Sequence, residues 1–586
     1  TLQADYDNNL SGDISLVGTA SLPAGSTLTY QQASSITYNN GLTNITGGTT
    51  GTLSLTSTNG SVNITQATTG NGIIRLYANG SSNTIGNVTA GYLYLYKKNT
   101  NPTFTIDAGA SIHLTYEGTT NGLIIDANVI LNAGSGASTS ITTGGGWANS
   151  GTFTCGTGTV TLDGAGASKH IHMTASSSFN NLIINGSGSW LLQDNFTILG
   201  GTLQVQLGTF GANTKTVTAT GLATVSGGTY TASTAKQTLN GGLTISGGTL
   251  TCSSGEVEVN GGDLTISSGT LTGSTGELDI NDDVALSGTG ILTAPSGNFG
   301  VSGNWAKTGG TFTPGSNTVT LNGTNQALTG STTFYNFSKT ESTNNSTDVT
   351  LTFDNTATQT INGLLTLDGL DNDDRINLVS DSPGTQWDII ANGTFSIDYV
   401  DVTDSNASGG LTIPAGGTSI EPGDNNNNWT FKIISVVLRD AGDTGDYTTW
   451  TMGSGKEVNT VYLMGTGNCV LVKNDGNVIE DFSISAAGTN WTLGSVNGEN
   501  QCVLMGLFNG NSAPIEGGFS TTYDIVNGAA RWATVSGGDG NYEGANDGDS
   551  VAIGSGEKLY IYLKTPSSVT SGVQETITVT IGSREH

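Results

Sequence analysis

Charge is scarce in this sequence. Charged residues fill 11% of its 586 positions, against roughly 25% in ordinary soluble proteins. Only 17 residues are Lys or Arg, against 46 Asp or Glu, so the surface must be built from Thr, Ser, Asn and Gly. The resulting net charge of −29 repels phosphate backbones and anionic lipid, which disfavours nucleic-acid binding and attachment to anionic membranes. Long apolar runs are missing as well: nothing approaches the ~18 apolar residues of a membrane-spanning helix, so no membrane insertion is expected. Cysteine is limited to Cys155, Cys252, Cys469 and Cys502, too few for a disulfide scaffold in a chain of this size. Disorder is not the alternative, because hydrophobic residues reach 35% and fall in short alternating runs.

What is present instead is glycine, 88 residues of it, and a repeated phrase. LTISGGTL from Leu243 returns as LTISSGTL from Leu264, VALSGTGIL from Val284 and WAKTGGTF from Trp305. The equivalent residues Ser246, Ser267, Ser287 and Thr308 are 21, 20 and 21 positions apart, a fixed period that marks one repeated supersecondary unit. Within each unit apolar residues alternate with Thr or Ser, the period of two that strands require, and Gly pairs such as Gly247-Gly248 mark the turns. A unit this small cannot bury its apolar face alone, so successive units are expected to stack as parallel strands. A longer duplication agrees: WANSGTFTCGTGTVTLDG from Trp147 echoes WAKTGGTFTPGSNTVTLNG from Trp305, Phe153 matching Phe312, at an offset near 158 residues or about eight units. The pattern predicts an all-β chain whose residues 1–425 form a right-handed parallel β-solenoid of ~20-residue coils. Roughly twenty coils at about 4.8 Å each would make a rod on the order of 100 Å long.

These Gly/Thr-rich phrases resemble the repeats of bacterial exported β-helix and adhesin-like surface proteins over about residues 140–370. The resemblance implies an extracellular or cell-surface setting. The start at Thr1 without methionine fits secretion with a cleaved signal peptide, and a trimmed chain would look the same. Asn-x-Ser/Thr sequons occur about as often as the composition alone dictates, so they do not indicate glycosylation at any one site.

Composition changes at the polar run Asp424 to Asn428, which reads as a linker. Beyond it, residues 426–586 carry longer apolar strands and Trp429, Trp450, Trp491 and Trp532, suggesting an immunoglobulin-like antiparallel sandwich. VLVKNDGNVIEDFSIS from Val470 resembles the strand, N-x-G-N, strand element of Ig-like modules in exocellular and surface-layer proteins. Cys469 and Cys502 fall in neighbouring predicted strands, where either a disulfide or two buried thiols would fit. Cys155 and Cys252 lie nearly five coils apart and cannot pair.

Chemistry-bearing residues are few. The five arginines are scattered, which argues against a polysaccharide lyase or hydrolase, and no nucleophile-elbow or zincin motif is present, so no enzyme is expected. His170 and His172 would share one strand face, as a metal pair or as exposed side chains. Two acidic turns could hold structural calcium: Asp539, Asn541, Glu543, Asp547 and Asp549 in one, Asp371, Asp373 and Asp374 in the other. Each also reads as a plain solvated loop. Tyr92, Tyr94 and Tyr96 alternate with leucines and share a face, where they could meet a glycan or a partner subunit or simply cover the rod. The leading expectation is a structural exocellular protein that self-assembles head to tail through its subunit ends into a filament or surface layer. An adhesin or glycan-binding stalk is the alternative.

Overall fold

In the computed structural model the described residues are all β with no α-helix, and the chain divides into two units, Thr1–Thr430 and Phe431–His586. The structure describes residues 51–586 apart from breaks at 58–59, 70, 81, 120–121, 135–138, 199, 417–418, 423–424, 536–539, 571 and 573. Of residues 1–50 it describes the strands between Leu2–Gln3 and Thr43–Thr46.

The first unit is a parallel β-solenoid of about 16 turns with a period near 21 residues. Each turn lays one short strand on each of three faces. Leu243–Ile245, Thr249–Thr251 and Val257–Val259 make one turn and pair in parallel with Leu264–Ile266, Thr270–Thr272 and Leu278–Ile280 of the next. Alternation sends the outer residues of Leu-Thr-Ile inward and the Thr outward, so Leu243, Leu264 and Val284 stack in successive rungs as expected. That inward column is continuous from Ile112 through Leu182, Leu203 and Trp305 to Leu328, and its members are buried. Burying a branched side chain contributes roughly 1.5–3 kcal/mol, and here each apolar residue does so only because the rung above and below covers it. There are fewer turns than the sequence period suggests because some early turns carry long connections. Leu93 pairs with Leu123, 30 residues on.

The duplicated phrase builds the same aromatic cluster twice. Trp147 meets Phe153 and Phe179 at 5.0 and 4.9 Å, and Trp305 meets Phe312 and Phe334 at 4.9 and 5.4 Å. The copies do not stand on the same face. Strand pairing from Trp147 leads down to Phe312, and pairing upward from Trp305 leads to Val160. The offset therefore falls one face short of the eight whole units expected from the sequence.

One corner shows how little slack the stacking leaves. A Cβ on Gly164 would lie 1.9 Å from the Gly144 carbonyl oxygen of the preceding turn, so only glycine fits there. On the third face Lys339 occupies an inward position between Leu321 and Leu367 and is fully buried. Its ammonium donates to the Gly323 and Thr324 carbonyls and to Gln326 Oε1, the last two at 2.8 Å. Desolvation pushes this amine down to about 8, with Glu341 pulling weakly the other way.

The asparagine run expected to be a linker is the solenoid's closing layer. Asn426 Nδ2 donates to the Val402 carbonyl at 2.7 Å while its Oδ1 accepts the Ser405 N–H at 2.8 Å. Asn428 Nδ2 donates to the carbonyls of Ala407 and Gly410, Asn425 Nδ2 to Asp404, and Trp429 Nε1 to Ser405 Oγ. Main-chain groups that the next turn would have satisfied are met by side-chain amides instead. Asp424 lies outside the described residues.

The second unit has two antiparallel arrays around one core. Gly556–Lys564 is central in the larger, flanked by Gln501–Asn509 on one edge and by Val470–Asn474 and Val461–Leu463 on the other. In the smaller, Glu480–Gly488 runs between Arg531–Trp532 and Ile577–Glu585. Phe482 and Ile484 from one array pack with Val472, Leu504, Phe508 and Tyr560 from the other. In the Asn-Asp-Gly-Asn turn, Asn474 Nδ2 bridges the Val478 and Val551 carbonyls. Cys469 and Cys502 do not form the expected disulfide; all four cysteines are free thiols. Both strands pair with Gly556–Lys564, but on opposite edges and out of step: the registers place Cys469 across from Tyr560 and Cys502 across from Thr565. Five residues along the strand and two strand spacings across leave the pair roughly 20 Å apart, far beyond the ~7 Å Cα limit. Burial pushes the Cys502 thiol up to about 11.

Candidate functional site

The strands Ile73–Ala78 and Tyr92–Lys97 pair in parallel as successive rungs, with Ile74, Leu76, Leu93 and Leu95 turned into the core. Their outward positions carry Arg75 and Tyr77 on one rung and Tyr92, Tyr94 and Tyr96 on the next. The expected sharing of a face by the three tyrosines is what alternation produces. Register adds a neighbour to each column: Tyr77 stacks on Tyr96 at 4.7 Å and 12°, and the Arg75 guanidinium lies 5.5 Å from the centre of the Tyr94 ring. Tyr116, from the loop after Ser111–Leu114, closes the row against Tyr92 at 4.2 Å. Tyr94 stands tilted to Tyr92 and edge-on to Tyr96. Tyr92 is buried under Tyr116, so the surface presents ring edges and hydroxyls chiefly of Tyr94, Tyr96 and Tyr116 rather than three flat faces. Burial pushes the Tyr94 and Tyr96 hydroxyls above their ordinary value, with Arg75 pulling the other way, so both stay protonated donors. Sequence reasoning named Tyr92, Tyr94 and Tyr96 but not Arg75, Tyr77 or Tyr116. The signal for the first two was the phrase Ile-Ile-Arg-Leu-Tyr one period before Tyr-Leu-Tyr-Leu-Tyr.

Beside Tyr116 the same loop brings Glu117 to a polar cluster. Glu117 accepts the Gly166 N–H at 2.9 Å, His113 Nε2 lies 3.6 Å from Asp163, and Lys169 donates to the Gly166 carbonyl with its ammonium 4.8 Å over Trp190. Lys169 is fully buried, and desolvation lowers its pKa against the pull of Glu117 and Asp163. Desolvation raises Asp163, with His113 opposing. His170 and His172 share an outward face as alternation requires, and His172 Nδ1 is bonded to Asp194 at 2.6 Å. Neither joins a three-ligand group among the described residues.

Several oxygens of the acidic turns accept hydrogen bonds from their own chain, while the second oxygen of Asp374 is buried without a partner among the described residues. Asp374 is buried, and one of its oxygens accepts the N–H groups of Asn345 and Thr347, while Asp371 accepts the N–H of Asp373. In the second unit Asn541 takes an Arg531 donor, Glu543 the Gly540 N–H and Asp547 the Asp549 N–H; Asp539 lies outside the described residues. Of the described carboxylates among them, only Asp549 enters a group of three possible ligands, with Asp481 and His586. There Asp481 is already engaged by Ser550, His586 and Arg584. Burial opposes its charge, but these donors outweigh that and hold its pKa low. Asp549 is pushed up by burial and by the Asp481 charge. Two further acidic groups that sequence reasoning missed stand on the solenoid: Glu256, Glu258 and Asp279, where Lys236 bonds the two glutamates, and Asp263, Asp282 and Asp283. Each gathers residues one turn apart, so only the exact register reveals them.

No family model matches this chain, and no curated protein matches it. Among solved structures, the chain is similar at 10% identity and a TM-score of 0.12 to the enzymatically active domain of tailspike protein 4 from bacteriophage CBA120. That comparison covers 89% of this chain, which spans 64% of the phage chain, just under two thirds of its length.

Proposed function

We propose that the chain is an exocellular stalk that binds glycans, the solenoid serving as a stiff scaffold and the tyrosine surface as its contact face. The observation that carries this reading is the gathering of Tyr77, Tyr92, Tyr94, Tyr96 and Tyr116 on two adjacent rungs and one loop. Elsewhere the solenoid's outward strand positions are mostly Thr, Ser and Asn. Tyrosine combines an apolar ring with a hydrogen-bonding hydroxyl, the pair of properties that a sugar's C–H face and hydroxyls match. The low-charge, Gly/Thr-rich composition supports the exocellular setting. A polysaccharide-binding screen tests the reading: binding should fall at least tenfold in Tyr94→Ala and Tyr96→Ala variants that still melt cooperatively. Unchanged binding in both would remove the tyrosine surface from the interaction.

The second reading, self-assembly into a filament or layer, is favoured by one observation in the second unit. Ile577–Glu585 pairs along all nine residues with Glu480–Gly488, and among the described residues no strand takes its other edge. Long open edges template further pairing. Polymers seen by electron microscopy that vanish in a Thr578→Lys/Thr580→Lys variant would support it. A wild-type chain that stays monomeric at high concentration would exclude it.

A further inference from the structure

The basic residues of this chain are few, and several are matched. Lys236, Lys432, Arg439, Lys473 and Arg584 each meet a carboxylate within 3.1 Å. Arg75 does not. Its guanidinium is held over the Tyr94 ring, and among the described residues it has neither a carboxylate within ion-pair distance nor a hydrogen-bond acceptor for its N–H groups. The ring fixes the orientation while leaving the donors free, as a planar group suited to a bidentate carboxylate should be. Lys97 and Lys98 follow Tyr96 on the neighbouring rung, exposed and likewise without carboxylate partners among the described residues. Arg75 lies across from Tyr94 and Lys97 across from Ala78, so the cations are about 10 Å apart along the strand direction. Asp126, in register below Tyr96, and Glu117, beside Tyr116, border the patch. Arg75 on the tyrosine face and the exposed Lys97 and Lys98 just past Tyr96 at the strand end thus gather cations at one place on a molecule with net charge −29.

We infer that this patch selects acidic polysaccharides: Arg75 takes a uronate-type carboxylate, the tyrosine rings and hydroxyls take the adjoining sugars, and Lys97 and Lys98 meet the next charges along the chain. The inference rests on the glycan-binding reading and adds the chemical class of ligand. Calorimetric titration of the whole chain with polygalacturonate, its carboxyl-reduced polymer and double-stranded DNA tests it. Polygalacturonate should bind at least tenfold more tightly than the reduced polymer, and DNA should bind no better than the reduced polymer. Added salt should weaken polygalacturonate binding. Arg75→Ala should bring polygalacturonate down to the level of the reduced polymer, and Arg75→Lys should restore part of the difference, with thermal melts showing that both variants are folded. Equal affinity for the two polymers would overturn acid selection and leave glycan binding standing. Binding to neither would overturn both. An unchanged affinity in Arg75→Ala, or equal binding of DNA, would overturn the assignment to this site.

Discussion

Replacing Lys339 by Met should abolish an alkaline gain in stability. The Lys339 amine is fully buried with two carbonyls and the Gln326 amide oxygen as its acceptors, and desolvation lowers it from an ordinary 10.5 to about 8. Below pH 8 both the folded and the unfolded chain hold the proton, and the folded state bears the whole penalty of keeping a charge in the core. Between pH 8 and 10.5 the folded chain has released the proton while the unfolded chain still binds it, so stability rises with pH. At 1.36 kcal/mol per pH unit the total rise is about 3 kcal/mol. Met fills a similar volume and does not titrate, but it leaves the Gly323 and Thr324 carbonyls without their donor, at roughly 1–3 kcal/mol each. The stability at pH 7 therefore mixes opposing effects, whereas the pH slope isolates the amine. Urea unfolding of wild type and variant at pH 7, 8, 9 and 10 supplies the measurement. The wild-type advantage should grow by about 2.5 kcal/mol between pH 7 and pH 10, the buried Lys169 cancelling because both proteins contain it. Parallel curves would refute the reasoning and mean that the amine reaches water.

Leu264→Ala opens a void under Leu243 and Val284 and should lower solenoid stability by about 3 kcal/mol in the same urea assay; a loss below ~1 kcal/mol would mean that the turns close over it. Asn426→Leu removes the partner of the Val402 carbonyl and the Ser405 N–H, so amide hydrogen exchange around residues 402–413 should accelerate by at least tenfold, with exchange near Leu243 unchanged. Denatured without reductant, the protein should titrate four thiols with a disulfide reagent; two would restore the Cys469–Cys502 bond.

The solenoid was legible because stacking forces each turn to repeat one in-and-out pattern. Leu243, Leu264 and Val284 announce their column through a near-constant spacing, and a one-residue change of register would turn them out to solvent. Features that depend on pairing between unequal turns were not legible. Ile73 and Tyr92 are 19 residues apart, near the period, so Arg75 and Tyr94 could be aligned, but Leu93 and Leu123 are 30 apart, so no fixed period would place Asp126 below Tyr96. The Asn425 to Asn428 run failed for a different reason: composition does not distinguish amides that face water from amides that terminate a stack of main-chain bonds. The cysteine pairing failed because adjacency of strands does not specify register, and five residues of stagger decide the outcome.

The turn-by-turn hydrogen bonding of the solenoid also governs how it would yield to tension. Each turn is fastened only to its two neighbours, so a pull between the ends would detach turns one after another. Every detached turn frees about 21 residues, or about 70 Å of contour at full extension. A single molecule stretched between a tip and a surface should lengthen in a train of steps near that size, longer where a turn carries a long connection such as that between Leu93 and Leu123. That is the behaviour of a shock absorber, and it suits a tether exposed to flow better than one cooperative rupture would.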